Sequence, residues 1–286
     1  MKSPNQWTSR SLLIVATVVV VVAMFIPYGY LLVYPFRLFG TFIHEAAHAM
    51  AAVVSGGQVL GMHVNLDTSG LTLTRGGSDL LISSAGYLGS IVAGAALLVA
   101  GRRRKWARPA LLVTAVATLL ATAFFGGYGS ALLAVMGFAI GMGLVAAGRR
   151  RSRAEKSGLP LVGAGALFGV ASLIYLGFSG ALLTWLIGLV MGGGLLLVAL
   201  YAKPVWQQLT VIFLGVQVVV DGLNSVKHLL VITTGNHGHS DAANMADITG
   251  VPATFWAATW ALMGVAVIVG AFWMFWRDER RHELRK

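Results

Sequence analysis

The chain has 286 residues, 57% hydrophobic and only 11% charged, against about a quarter charged in a soluble globular domain, so a soluble fold is excluded and a polytopic membrane protein is expected. The net charge of +11 lies in short clusters between apolar runs rather than on one soluble face, which argues for topology signals and against a nucleic-acid partner. The absence of cysteine excludes disulfides and thiolate sites, so any metal must be held by His, Asp or Glu.

A hydrocarbon core of about 30 Å takes roughly 20 residues of helix to cross, and nine runs qualify: 11–33, 36–55, 79–101, 108–126, 130–148, 159–177, 180–202, 205–232 and 252–276. Together they make 1–286 a single all-α membrane domain. The first run resembles the apolar core of a signal sequence, but it is longer and lacks a small-residue cleavage site, so it reads as a retained span. Arg102 to Lys105 with Arg108, Arg149 to Arg153 with Lys156, and the basic tail 277–286 all read as cytoplasmic. Counting back from that tail puts the N-terminus outside. Small residues at helical spacing, among them Gly137 with Gly141, Gly165 with Gly169, Gly188 with Gly192, and Gly86, Ser90 and Gly94, predict close helix packing.

The second run carries His44, Glu45, Ala46, Ala47 and His48, a His-Glu-x-x-His string. Random placement would put it in roughly two of a thousand chains of this composition. On a helix the two histidines fall one turn apart on one face, so both imidazoles can hold one zinc ion with Glu45 beside a reacting water. Polar groups at membrane depth are costly and need a reason to be there.

From Gly56 to Gly77 the pattern changes. His63 to Leu66 and Leu71 to Thr74 alternate polar and apolar residues around Asp67, Thr68, Ser69 and Gly70, which predicts a β-hairpin. An exposed strand edge there could pair with an extended peptide and present its backbone to the metal. Residues 36–101 thus form a unit of metal-motif helix, hairpin and packing helix.

A catalytic zinc takes three protein ligands, and the expected third is Asp221 on the helix 205–232. It follows Val218, Val219 and Val220, where an uncompensated carboxylate would be a misfit in lipid. The second and eighth spans are an even number of crossings apart, so they run parallel and can share a depth. Gly222 permits close approach of substrate, and Asn224 can hold a substrate carbonyl or the carboxylate, as can Gln217. His63, Asp67 and Asp79 compete as third ligand from the hairpin or a span end, where solvated roles are commoner, and His228 reads as a polar lining residue. His237, His239 and Asp241 could bind a metal weakly, but Asn236 to Asp247 reads as a solvated loop. Trp256, Trp260, Phe272, Trp273 and Trp276 read as packing or interfacial groups of the last span.

His44, Glu45 and His48 on one membrane helix, the Asp221-Gly222 pair on a later one, the hairpin, and the string Ser84 to Gly89 in the next span resemble the site-2 protease family of intramembrane zinc metallopeptidases. The second motif departs from the family pattern, since Val220 precedes Asp221 and no proline lies between Pro204 and Pro252. The resemblance implies that His44, His48 and Asp221 bind Zn2+, that Glu45 is the general base, and that a membrane protein or peptide is cleaved. The expected location is the cell membrane, as a multi-pass protein. Two other functions are open at this point: a metal-ion transporter using the same residues as a transit site, and a non-catalytic membrane protein that binds partners through its helices.

Overall fold

The computed structural model describes residues 7–155, 158–178, 180–232 and 240–283. Within these, the side chains at 24, 128–135, 152–155, 176–178, 223–232 and 278–283 fall outside the description, as do His237 and His239 altogether. The chain folds as ten helices and one hairpin among the described residues. In chain order these are α1 (Ser9–Phe25), α2 (Gly29–Val54), β1 (Gln58–Val64), β2 (Gly70–Arg75), α3 (Asp79–Gly101), α4 (Arg104–Phe125), α5 (Tyr128–Glu155), α6 (Leu159–Phe178), α7 (Ala181–Tyr201), α8 (Pro204–Ile232), α9 (Asp241–Thr249) and α10 (Ala253–Glu283).

Five of the described helices are long and apolar enough to cross a membrane: Asp79–Gly101, Arg104–Phe125, Ala181–Tyr201, Pro204–Gly222 and Ala253–Arg277. The protein is an integral membrane protein, but the expected nine spans are not all of one kind. Two further apolar helices, Ser9–Ala23 and Leu159–Tyr175, are shorter. Helix α2 has the length, at 26 residues, but Arg37, His44, Glu45 and His48 interrupt its apolar character. The break between the first two helices also moves. It was expected near Pro35, yet Pro35 lies inside α2, and the chain instead turns at Tyr28, whose φ is 59°. Proline inside a membrane helix is tolerated when neighbouring helices satisfy the freed carbonyl.

Small residues set the helix seams, since in lipid it is close backbone approach that favours association. A Cβ at Gly141 would lie 2.7 Å from Gly165 O and one at Gly165 the same distance from Gly141 O, which fixes the α5 to α6 seam. Gly188 and Gly192 of α7 admit Thr122 and Leu119 of α4 in the same way. Against the site-bearing half, Gly94 of α3 meets Val219 of α8, and Gly215 of α8 meets Leu98 of α3. One apolar core, including Phe39, Phe42, Met62, Leu111 and Leu214, joins α2 to β1, α4, α7 and α8.

The predicted hairpin is present. Strands β1 and β2 pair antiparallel, with His63 opposite Leu71 and Val64 opposite Gly70, and an irregularity between Val59 and Gly61. Its turn is closed by Asp67, whose Oδ1 accepts from Ser69 N at 2.9 Å and Ser69 Oγ at 2.6 Å. Polar links hold the hairpin to helices. Tyr34 OH donates to Leu66 O, Thr41 Oγ1 donates to Thr68 O at 2.8 Å, and Val64 N donates to Thr184 Oγ1 of α7 at 2.8 Å.

Candidate metal centre

His44, Glu45 and His48 lie on α2 as the spacing requires, and Glu45 and His48 are buried at 5% and 7% exposure. The Nε2 atoms of the two histidines are 3.1 Å apart. His48 Nδ1 lies 2.6 Å from Ile82 O of α3. A carbonyl only accepts, so Nδ1 carries the proton and Nε2 presents its lone pair to the site. Tyr87 of α3 stands edge-on to the His44 ring at 4.9 Å and stacks on Trp260 of α10 at 4.6 Å. Gly86 of α3 is the reason the two imidazoles fit: a Cβ there would collide with both Nε2 atoms. The string Ser84 to Gly89 therefore packs on the metal motif itself, with Gly89 against Ala47.

The third donor beside the two imidazoles is Asp241. Its Oδ2 lies 2.9 Å from His44 Nε2 and 3.2 Å from His48 Nε2, and the three residues are the one such His-and-carboxylate group among those described. Residues 241–249, expected as part of a solvated loop, are instead helix α9. Ser240 caps it by accepting from Ala243 N at 3.2 Å, and Gly250, with φ of 71°, ends it. Ala242 and Met245 bury one face of α9 against Tyr87, Ala257 and Trp260. That packing holds Asp241, in the first turn, against the histidines. The Ser-Asp start, Gly250 and then Pro252 are the start and stop signals of a short helix, and they were the signal available in the sequence.

A cation fits these residues. Asp241 Oδ2 is buried and makes no hydrogen bond of acceptable geometry, although two nitrogens stand within 3.2 Å of it. Three electron-pair donors facing one point are mutually unfavourable until something positive sits between them. A tetrahedral zinc with bonds of about 2.0–2.1 Å sets its ligand atoms about 3.3 Å apart, close to the separations here.

Asp221, the expected third ligand, is not brought to the histidines. Its Oδ2 accepts from Gln217 Nε2 at 2.9 Å, its Oδ1 lies 3.8 Å from Arg37 Nε, and it packs on Gly40, one turn before His44. The physical reason is that α2 supplies its own cation, Arg37, at that depth. Gly222 faces open space, and the side chain of Asn224 lies outside the described residues. The other competitors are engaged elsewhere. His63 is enclosed by Gly61, Gly127 and Gly180, and burial lowers its pKa. Asp67 is held below the usual range by Ser69, and Asp79 sits in the first turn of α3.

Glu45 faces the hairpin. Thr72 Oγ1 of β2 lies 2.7 Å from Glu45 Oε2 and 3.0 Å from Glu45 O, and Gly70 lets the strand pass against the carboxylate, where a Cβ would overlap it. Nothing in the sequence singles out Thr72. The whole arrangement is two imidazoles and a carboxylate converging on one point, with a second carboxylate on the same helix beside them.

The family model described as Peptidase M50B-like matches residues 14–176 and again residues 135–271. No curated protein and no solved structure matches the chain.

Proposed function

The chain belongs to the Peptidase M50B-like family, a metallopeptidase family, and from that premise we propose that it is an intramembrane zinc protease that cleaves peptide bonds in or near the membrane segments of protein substrates. The observation that carries this reading is the convergence of His44, His48 and Asp241 beside Glu45. His44 Nε2, His48 Nε2 and Asp241 Oδ2 would hold the zinc. When bound, the ion supplies Lewis acidity, lowering the pKa of water towards about 7 and polarising the scissile carbonyl.

The chain's own residues do the rest. Glu45 takes the proton from the attacking water and returns it to the leaving nitrogen. Ile82 O fixes the His48 tautomer so that Nε2 stays a ligand. Tyr87 and Trp260 wall the His44 side and limit access of bulk water. A helical substrate hides its carbonyls in hydrogen bonds, so the bond to be cut must first unwind. The hairpin edge offers backbone partners for the extended segment that results. Glycine at 222 leaves room on the α8 side. The partners proposed are therefore a membrane protein or peptide substrate and the surrounding bilayer, at the cell membrane.

The test is metal analysis and cleavage of single-span substrates by purified wild type and Glu45→Gln. A protease of this kind keeps its zinc and stops cutting in that variant, by about 10²–10⁴-fold or more. Undiminished cleavage by Glu45→Gln would refute the mechanism. Zinc uptake into vesicles that tracked His44, His48 and Asp241 would move the reading to a transporter.

A further inference from the structure

Thr72 has a place in the site that the metal motif alone does not assign. Strand β2 alternates: Gly70, Thr72 and Thr74 turn inward while Leu71, Leu73 and Arg75 are exposed. The inward set runs along α2. Gly70 meets the Glu45 carboxylate, and the Thr72 hydroxyl stands 2.7 Å from its Oε2. Upstream, Thr41 Oγ1 holds Thr68 O and Tyr34 OH holds Leu66 O. Tyr34, Thr41 and Glu45 are spaced i, i+7 and i+11, which places them on one helical stripe, so the hairpin is strapped along the stripe that carries the base.

We propose that Thr72 is the positioning residue of Glu45, donating its hydroxyl hydrogen to Oε2 and so fixing one orientation of the carboxylate that exchanges a proton with water, with Oε1 beside Gly70. A glutamate has three side-chain torsions, and a base that must both take and return a proton needs one orientation. The histidines and Asp241 cannot supply it, because they converge on the metal point. The hydroxyl hydrogen has two acceptors within reach, Oε2 at 2.7 Å and Glu45 O at 3.0 Å, and the charged one forms the stronger bond. The strand meant to hold an extended substrate thus also holds the base, which ties the register of the bound peptide to the position of the reacting carboxylate.

This inference rests on Glu45 being the base of the proposed reaction, and its test separates the two. The full chain, labelled with ¹³C-glutamate, contains four glutamates, and the infrared carboxylate band lost in Glu45→Gln is that of Glu45. Thr72→Val should shift that band, and Thr72→Ser should restore it. In cleavage assays Thr72→Val should lower kcat by about tenfold to a hundredfold with KM and zinc content unchanged, and Thr72→Ser should recover most of the loss. A band that does not move, unchanged kcat, loss of zinc, or a serine variant as impaired as valine would each overturn the proposal. If the wild type cuts nothing, the functional reading falls, while the infrared shift still decides whether Thr72 orients Glu45.

Discussion

Asp221 and Asp241 are both largely buried carboxylates, with side-chain exposures of 14% and 16%, and both face α2 within about a turn of each other along it. Asp221 meets Arg37 and Gln217, a cation and an amide hydrogen supplied by the chain itself. Asp241 meets two imidazole nitrogens, one of which, on His48, is fixed as an electron-pair donor by Ile82. Burying a carboxylate in either place has a cost that must be offset, but only the second arrangement leaves the offset to a group from outside. The role of a buried acid is set by what faces it, not by its depth or by the glycine that follows it.

The largest effect that would sharpen this contrast is at Gly86. Gly86→Ala places a methyl group on both Nε2 atoms, so it should abolish zinc binding by the purified protein while leaving the Arg37 to Asp221 contact and the overall helicity intact. Normal zinc content in that variant would mean that the imidazoles are not where the metal sits. Next in size is Asp221→Asn. It should keep zinc content but destabilise the protein by about 1–3 kcal/mol, because Arg37 loses its charged partner in a part-buried place. Thermal unfolding in detergent would show it, and Arg37→Gln combined with Asp221→Asn should be less than additive. The smallest effect is at the α9 cap. Ser240→Ala removes the hydrogen bond to Ala243 N and should cost about 1 kcal/mol of helix stability, weakening zinc affinity severalfold by loosening Asp241. A cap variant that leaves zinc affinity unchanged while Asp221→Asn lowers it would reverse the assignment of the two acids.

What was legible in the sequence follows the range of each interaction. His44, Glu45 and His48 could be read directly because one helix turn relates them. The hairpin was equally local, signalled by alternation and by the Asp67 to Gly70 turn. The packing string Ser84 to Gly89 showed as small residues, although that Gly86 clears space for the imidazoles needed the fold. Asp241 reads as a weak ligand, since the polar run before it has the composition of a loop, and its burial depends on α9 packing against Tyr87 of α3 and Trp260 of α10, contacts that no local pattern encodes. Hydropathy, the parallel direction of the two spans and the Asp-Gly pair all favour Asp221, but the compensating Arg37 lies 184 residues earlier, on another helix. Of the nine expected spans, five among the described residues are long and apolar enough to cross a membrane, and α2 is not one of them because the polar residues that carry the candidate site interrupt its apolar character. Thr72 was invisible because a lone threonine in an alternating strand gives no sign of what it faces.

The most direct measurement is zinc stoichiometry of purified Asp241→Ala and Asp221→Ala side by side, each with a helicity spectrum to confirm folding. The account predicts that Asp241→Ala is folded and loses tightly bound zinc, while Asp221→Ala retains it at the wild-type ratio. A folded Asp221→Ala without zinc, beside an Asp241→Ala that keeps it, would contradict the assignment of the third ligand.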